Sequence, residues 1–340
     1  MPESEPQHVM NPPGGSDRRT DRRTFLAQLG LLAGVGAGIP FLRSSVLSKR
    51  LQRIETARPA LGTWVRVVVQ DPDPERAARA AERAFEAIRL VDSQMSIHRA
   101  DSQLSRVNAA AGTGMVRVDG AVVDVVARAV EEAGRTDGLY DPTILPLMRL
   151  YGYYGSGRDR FPSDAEIGAA LAVTGYRHVS IDRAGSRIGL LRRGAALDLG
   201  SIGKGWALDR AVDGLRAEGV HSGLIDVGGN VYGLGAPEES EAGWSVGVLH
   251  PATGKMDRVF LLEDAAVATS GNYEQSRMLG HTRVGHLFDA RRGRPADGHL
   301  SASVVARTGT DSDKLSTVAF LLGPDRFRGH AGALEAHFIG

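Results

Sequence analysis

Cysteine is absent from the 340 residues, so the chain can form no disulfide and its leader can carry no cysteine-linked lipid anchor. Also missing is the excess of positive charge that a nucleic-acid site would need. The chain holds 41 Lys/Arg and 40 Asp/Glu, but eight of the basic and four of the acidic residues fall in positions 1–54, leaving 33 basic against 36 acidic in the rest. The isoelectric point of 8.1 therefore belongs largely to the leader, and the body offers no basic stripe for nucleic acid. After residue 54 there is no internal repeat, no low-complexity linker and no second apolar run long enough to span a membrane. A body of this length makes one large domain, or two intimately joined ones, with a substantial core.

Residues 1–54 form a separate object. A polar start leads to Thr20-Asp-Arg22-Arg23-Thr-Phe25-Leu26 and then to an uncharged, Gly/Ala-rich apolar run ending at Leu42. Paired arginines ahead of a weakly hydrophobic stretch match a twin-arginine export signal, so we expect delivery to the periplasm or another extracytoplasmic compartment by the twin-arginine machinery. No Ala-x-Ala follows the run. Cleavage near Gly36 to Gly38, and retention of the 18 residues Phe25 to Leu42 as a membrane anchor, are both open.

The local patterns of the body predict an α+β fold, with mixed or antiparallel sheets and packed helices. Val65, Val67 and Val69 alternate within an expected strand over 60–70, and Pro72-Asp73-Pro74 opens a helix in which Ala77, Ala81, Ala84, Phe85, Ile88 and Val91 recur at helical spacing. Val122, Val125, Val126, Ala129, Val130 and Ala133 mark a second helix, and the Ser163-x-x-Glu166 capping box starts a third. Strand-like runs follow at 179–181, 188–191, 195–199, 224–227, 244–249, 259–262 and 303–306. The short turns between many of them argue against a doubly wound parallel sheet.

The most informative stretch runs from Ala196 to Arg210. An expected apolar strand ends in Asp198, turns on Gly200, Gly203 and Gly205, and enters a helix from about Trp206. Glycines let a backbone approach a phosphate, Lys204 adds positive charge, and a helix amino terminus aims amide donors back at the turn. It is not a Walker loop, because Asp198 stands five residues before Gly203 where that motif has glycine, and Gly205 follows the lysine. Taken alone it is as well explained by a tight turn as by a ligand cradle. Asp313 and Thr317, four apart, are likewise either a capping pair or two oxygens on one helix face suited to a hard cation. His286 is one of ten histidines, and a lone histidine is more often packed or exposed than catalytic.

The central turn and seven further blocks follow one another in an order that resembles the ApbE family, the FAD:protein FMN transferases. The turn is similar to the family's D-L-G-G-I-A-K-G-Y-A-x-D. Leu61-Gly-Thr63 is similar to M-G-T, the segment from Met95-Ser96 through Asp101-Ser102 to Asn108 to S-T-Y-x-P-D-S-E-L-S-R-L-N, and Gly138-Leu-Tyr-Asp-Pro-Thr143 with Pro146-Leu147 to G-A-F-D-P-T-x-x-P-L. Asp226-Val-Gly-Gly-Asn230, Ala268-Thr-Ser-Gly271, His286-Leu-Phe-Asp289 with Gly293-Arg-Pro295, and Asp313-Lys-Leu-Ser-Thr317 complete the set.

The resemblance implies an ApbE-like, T-fold-related architecture for residues 55–340. It implies Mg²⁺-dependent transfer of FMN from FAD to a Thr or Ser hydroxyl of an acceptor flavoprotein, with AMP released. In that reading Mg²⁺ is held by Asp313, Thr317 and the main-chain carbonyl of Ser201, and His286 is the general base. FAD contacts are implied for Leu61, His98, Leu139, Tyr140, Asp141, Asp198, Lys204 and Leu287. Four positions depart from the family's pattern. Ser201 stands where Gly, Ala or Thr is usual, a difference that leaves a carbonyl ligand unaffected. Leu61 replaces Met and keeps an apolar wall; His98 replaces Tyr, keeping a flat ring of different polarity; Ala290 replaces the proline after H-I-I-D. Asn230 and Ser270 are expected to shape loops. Two alternatives stay open: water as the attacking group makes the chain a Mg²⁺-dependent FAD pyrophosphatase, and a chain without turnover is a periplasmic FAD-binding protein.

Overall fold

The computed structural model describes residues 51–155, 157–273 and 275–340, and the twin-arginine segment lies outside the described residues. In chain order the strands are β1 (Gln52–Ala60), β2 (Thr63–Asp71), β3 (Met115–Arg117), β4 (Val179–Asp182), β5 (Arg187–Leu190), β6 (Gly223–Val227), β7 (Asn230–Leu234), β8 (Trp244–Leu249), β9 (Met256–Leu262), β10 (Ala265–Gly271), β11 (Ser276–Leu279), β12 (Thr282–Gly285), β13 (Phe288–Asp289), β14 (Arg294–Pro295), β15 (Ser301–Ala306) and β16 (Ala333–Ile339). The α-helices are α1 (Pro74–Met95), α2 (Gln103–Ala109), α3 (Gly120–Arg135), α4 (Leu145–Leu150), α5 (Asp164–Leu171), α6 (Gly203–Ala217) and α7 (Gly309–Phe327). The last of these breaks at Gly323, whose φ is 74°.

Seven strands form one sheet in the order β1-β2-β6-β7-β10-β15-β16, every neighbouring pair antiparallel. Successive side chains of a strand point to opposite faces, and here both faces are covered. Val67, Val69, Ile225, Tyr232, Ala266 and Val304 join the core beneath the helices. Their sequence neighbours Val68, Leu224, Val231, Val267 and Val305 pack instead with Trp244, Phe260 and Leu262 of the β8–β9 hairpin. Two-sided burial explains why the sequence of β6 is continuously apolar apart from Asp226.

The helices form where their sequences propose them. Asp73 caps α1 by accepting from the Glu75 and Arg76 amides, and Ser163 and Glu166 form the reciprocal capping box of α5. The alanine-rich face of α1 lets α6 come close: a Cβ added to Gly214 would stand 3.3 Å from the Arg83 carbonyl carbon. Among the described residues, no helix is long and apolar enough to cross a membrane.

Two expectations need correction. The run 195–199 is extended but is not a strand. Its backbone is paired by a side chain, since Asn108 Oδ1 accepts from the Leu197 amide (2.7 Å) and Asn108 Nδ2 donates to the Leu197 carbonyl (2.9 Å), while the Asp198 amide donates to Pro142 (2.8 Å). The expected strand over 60–70 is interrupted at its start by a two-residue hairpin turn at Leu61-Gly62, with φ of 52° and 69°, the conformation that matches the twist of an antiparallel pair. Its first arm, β1, begins at Gln52.

Candidate active site

The amino terminus of α6 lacks a cap of its own. Helix α6 starts at Gly203, and Ile202 at its N-cap has no side-chain oxygen, so the first-turn amides need an outside acceptor. Asp313 of α7 supplies one, its Oδ2 accepting from the Gly205 amide at 2.8 Å. The favour is returned by Asp209 of α6, whose carboxylate accepts from the Gly309 amide (2.6 Å), the Thr310 amide (3.0 Å) and Thr310 Oγ1 (2.5 Å) at the start of α7. Each helix therefore caps the other. The approach this demands leaves no room for a side chain: a Cβ on Gly205 would overlap the Gly309 carbonyl and stand 2.7 Å from Asp313 Cβ. Asp209 was not among the expected site residues. The one sequence signal for it is its place as the aspartate closing the central block.

The mutual capping buries Asp313 to 4% exposure. Burial raises the proton affinity of its carboxyl, and the Lys204 charge, the Gly205 and Lys204 amides and the nearby Asn230 side chain oppose that rise. The Lys204 charge also holds down the pKa of Asp226 and of His286, so its field reaches groups from three parts of the chain. Asp226 at the end of β6 is buried, and its Oδ1 accepts from the Gly229 amide at 2.8 Å. Thr317, one turn beyond Asp313, has its hydroxyl 3.1 Å from Ser270 Oγ, which lies 2.8 Å from Ser316 Oγ. Asn230 and Ser270 thus stand at strand positions against the Asp313–Thr317 face of α7. Asn230 Nδ2 is buried near the Asp313 carboxylate but makes no hydrogen bond of good geometry among the described residues. The next residue, Lys314, turns away from this face into an ion pair with buried Glu132 at 3.1 Å, which fixes the rotation of α7.

Ser201 lies in the turn ahead of α6. Its hydroxyl donates to Tyr140 Oη at 3.1 Å, and its main-chain carbonyl accepts no hydrogen bond from the described residues. Among those residues no three His, Cys, Asp or Glu side chains gather as a metal centre. A cation held here would rest on the Asp313 carboxylate and neutral oxygens.

His286 sits between β12 and β13, half-buried, with Nδ1 3.1 Å from the Gln275 carbonyl. A carbonyl only accepts, so Nδ1 carries the proton and Nε2 the free lone pair. Burial lowers the imidazole pKa, the Gln275 bond opposes this, and the Lys204 charge lowers it further, to about 4. The ring is neutral at pH 7. Leu287 is buried beside it, its amide donating to Asn272 Oδ1 (3.3 Å) and its carbonyl accepting from Ala296 (2.8 Å).

The remaining expected FAD contacts form the surroundings. Leu139 and Tyr140 are buried, and the Leu139 carbonyl accepts from the Ala290 amide (3.3 Å), tying this loop to the His286 loop. Asp141 has both oxygens committed, Oδ1 to the Thr143 amide and hydroxyl (2.8 and 2.6 Å) and Oδ2 to the Tyr176 amide (2.7 Å), so it organises its loop. Asp198 Oδ1 accepts from the Gly200 amide at 2.8 Å. Burial raises the Asp198 pKa, against the Gly200 bond and the nearby Tyr154, His98 and Arg149. His98 is exposed and meets the ring of Tyr154 edge to face. Leu61, held in its turn, packs against the main core.

The model of the ApbE family matches residues 61–338 of this chain. The FAD:protein FMN transferase of Treponema pallidum is 32% identical over 294 residues, which cover 82% of this chain and 81% of the relative. That of Salmonella typhimurium is 32% identical over 278 residues, covering 78% and 77%. The fold is similar to the crystal structure of the ApbE protein of Thermotoga maritima, with a TM-score of 0.77 at 30% identity over 84% of this chain and 94% of that one. It is similar also to apo flavinyl transferase ApbE of Pseudomonas stutzeri, with a TM-score of 0.75 at 28% identity over 85% and 91%. The arrangement of helices on an antiparallel sheet is thus that of solved flavin transferases, and with all eight motif blocks inside the matched span, the chain belongs to the ApbE family.

Proposed function

We propose that this chain is an FAD:protein FMN transferase that moves FMN from FAD to a Thr or Ser hydroxyl of an acceptor flavoprotein and releases AMP, with Mg²⁺ as its metal. One observation supports the reading: His286, with Nδ1 held by the Gln275 carbonyl and Nε2 left free, and the buried Asp313 carboxylate, bonded to the Gly205 amide, both lie within the field of Lys204. This supports a reading in which a base, a cation and a buried anion serve one turn whose glycines admit a phosphate chain.

The donor set suits Mg²⁺. Asp313, Thr317 and the Ser201 carbonyl are all hard oxygens, few in number, leaving coordination positions for phosphate and water. A carboxylate whose burial favours its protonated form also gains from a second cation beside Lys204. Bound there, Mg²⁺ supplies neutralisation of the negative charge on the diphosphate oxygens.

The chain's own residues do the rest. Lys204 draws the diphosphate to the turn, and doing so offsets part of the charge that depresses His286, raising its basicity when substrate binds. Nε2 of His286 takes the proton of the acceptor hydroxyl. The hydroxyl oxygen bonds to the FMN phosphorus as the phosphorus–oxygen bond to AMP breaks, and AMP leaves with the electron pair.

Incubating the purified protein with FAD and Mg²⁺, with and without a Thr-containing acceptor, and separating the products by chromatography tests this. AMP together with flavin attached to the acceptor is the expected result. AMP and free FMN without acceptor would make the chain a pyrophosphatase, and bound FAD with no AMP would make it a binding protein. Asp313→Asn keeps an oxygen for the Gly205 amide and removes the charge. It should abolish AMP release with little change in melting temperature.

A further inference from the structure

Tyr154 falls in none of the eight motif blocks, yet it stands against two residues placed in the FAD site. Its ring meets His98 edge to face, with centroids 5.4 Å apart and planes at 69°. Its hydroxyl lies beside the Asp198 carboxylate; burial and that charge push the phenol far above its ordinary range, so it stays protonated and able to donate. Asp198 is itself anchored to the Gly200 amide at 2.8 Å. The tyrosine is therefore tied to the mouth of the central turn.

Its neighbours hold it there. Tyr153 Oη donates to the Val284 carbonyl (2.7 Å), and Arg277 Nη2 donates to the Arg158 carbonyl (3.0 Å). Arg277 Nη1 occupies the space beside Gly152, 2.7 Å from where a Cβ would be. These bonds run from the 152–158 segment to the hairpin that precedes His286, so the position of Tyr154 is built into the fold. Tyr154 keeps part of its surface exposed beside the exposed imidazole of His98, so the edge-to-face pair can take a third aromatic group, and its phenol ring adds more flat apolar area than the imidazole alone.

We infer that Tyr154 is a specificity-determining residue of the FAD site, its ring forming with His98 the wall on which a planar heterocycle of the dinucleotide packs. The inference rests on the transferase reading. The flavin and the adenine both offer the required planar ring.

The test is titration of the full chain with FAD, FMN and ADP, followed by flavin fluorescence or competition, for wild type, Tyr154→Phe and Tyr154→Leu. Loss of a stacked ring costs about tenfold in affinity. Tyr154→Leu should weaken FAD by about that factor with an unchanged melting temperature, and Tyr154→Phe, which keeps the ring, should lose less. A parallel loss for FMN assigns the flavin to the wall, and a parallel loss for ADP assigns the adenine. Wild-type FAD affinity in Tyr154→Leu overturns the inference, as does equal damage in the two variants, which would reduce Tyr154 to a hydroxyl steadying Asp198. A folded wild type that binds no FAD overturns the transferase reading itself, and this inference with it.

Discussion

In the proposed reaction His286 acts as the base, and its lowered pKa keeps the ring neutral well below pH 6.5. An imidazole at its usual value would be half protonated near pH 6.5, but burial and Lys204 bring this one to about 4. The acid limb of kcat/KM, which reports the free enzyme, should therefore fall near pH 4. A limb near 6.5 would show that the ring is not desolvated as described. Replacement by Asn should leave FAD affinity near wild type and slow single-turnover transfer by about 10²–10⁴-fold, with the deficit shrinking as pH rises and the acceptor hydroxyl needs less help. Collapse of FAD affinity with undiminished transfer on saturated enzyme would remove His286 from the proton transfer. The sequence singles out His286 through its block, and Asp313 and Thr317 through their resemblance to the family's ligand helix, since their four-residue spacing alone fits a capping pair as well; their roles are those proposed above. The protonation state of His286 was not legible there, because Gln275 and Lys204 set it and neither is marked by the His286 block. Asp209 was missed for the same reason: its partners lie a hundred residues away, at Gly309 and Thr310.

Elements were legible where their stabilisation is local. The periodic apolar faces of α1 and α3 and the capping box of α5 gave helices with nearly the expected limits. The 195–199 run has strand composition but finds its hydrogen bonds in Asn108, a partner that no period of hydrophobicity can reveal. Strand β1 escaped notice because most of its residues are exposed or half-exposed and it carries no apolar alternation, and the turn after it uses Leu61 where turn chemistry favours Asn or Gly. The contact between α6 and α7 yields a sharper consequence. Within a helix Gly→Ala normally stabilises, by up to about 1 kcal/mol, yet at Gly205 the new methyl would overlap the Gly309 carbonyl and crowd Asp313. Overpacking of this kind costs about 1–3 kcal/mol, so Gly205→Ala should lower the melting temperature and AMP release together. Gly168→Ala in α5 meets nothing within 4 Å and should be neutral or stabilising. A Gly205→Ala protein that melts higher than wild type would show that the two helices do not approach as closely as described.

At the scale of the whole molecule, the proposed site draws on residues from Leu61 to Thr317 and would exist only when sheet and helices have assembled. FAD therefore has a place to bind only after folding. An export route that carries folded proteins would deliver the enzyme with its site complete, and we propose that the leader serves that purpose. Arg22-Arg23 stands directly before Thr24-Phe25-Leu26 and the apolar run, whereas a second pair, Arg18-Arg19, lies four residues earlier without such a run at the same spacing. A receptor that reads planar guanidinium groups distinguishes Arg from Lys even though the charge is the same. Replacing Arg22 and Arg23 by Lys should therefore hold the protein in the cytoplasm, and the same change at Arg18 and Arg19 should leave export intact. The retained protein should be folded and release AMP from FAD, because all eight motif blocks lie after the leader in the sequence. Cell fractionation followed by the AMP assay reads both outcomes, and undiminished periplasmic delivery of the Arg22→Lys, Arg23→Lys variant would exclude the twin-arginine route.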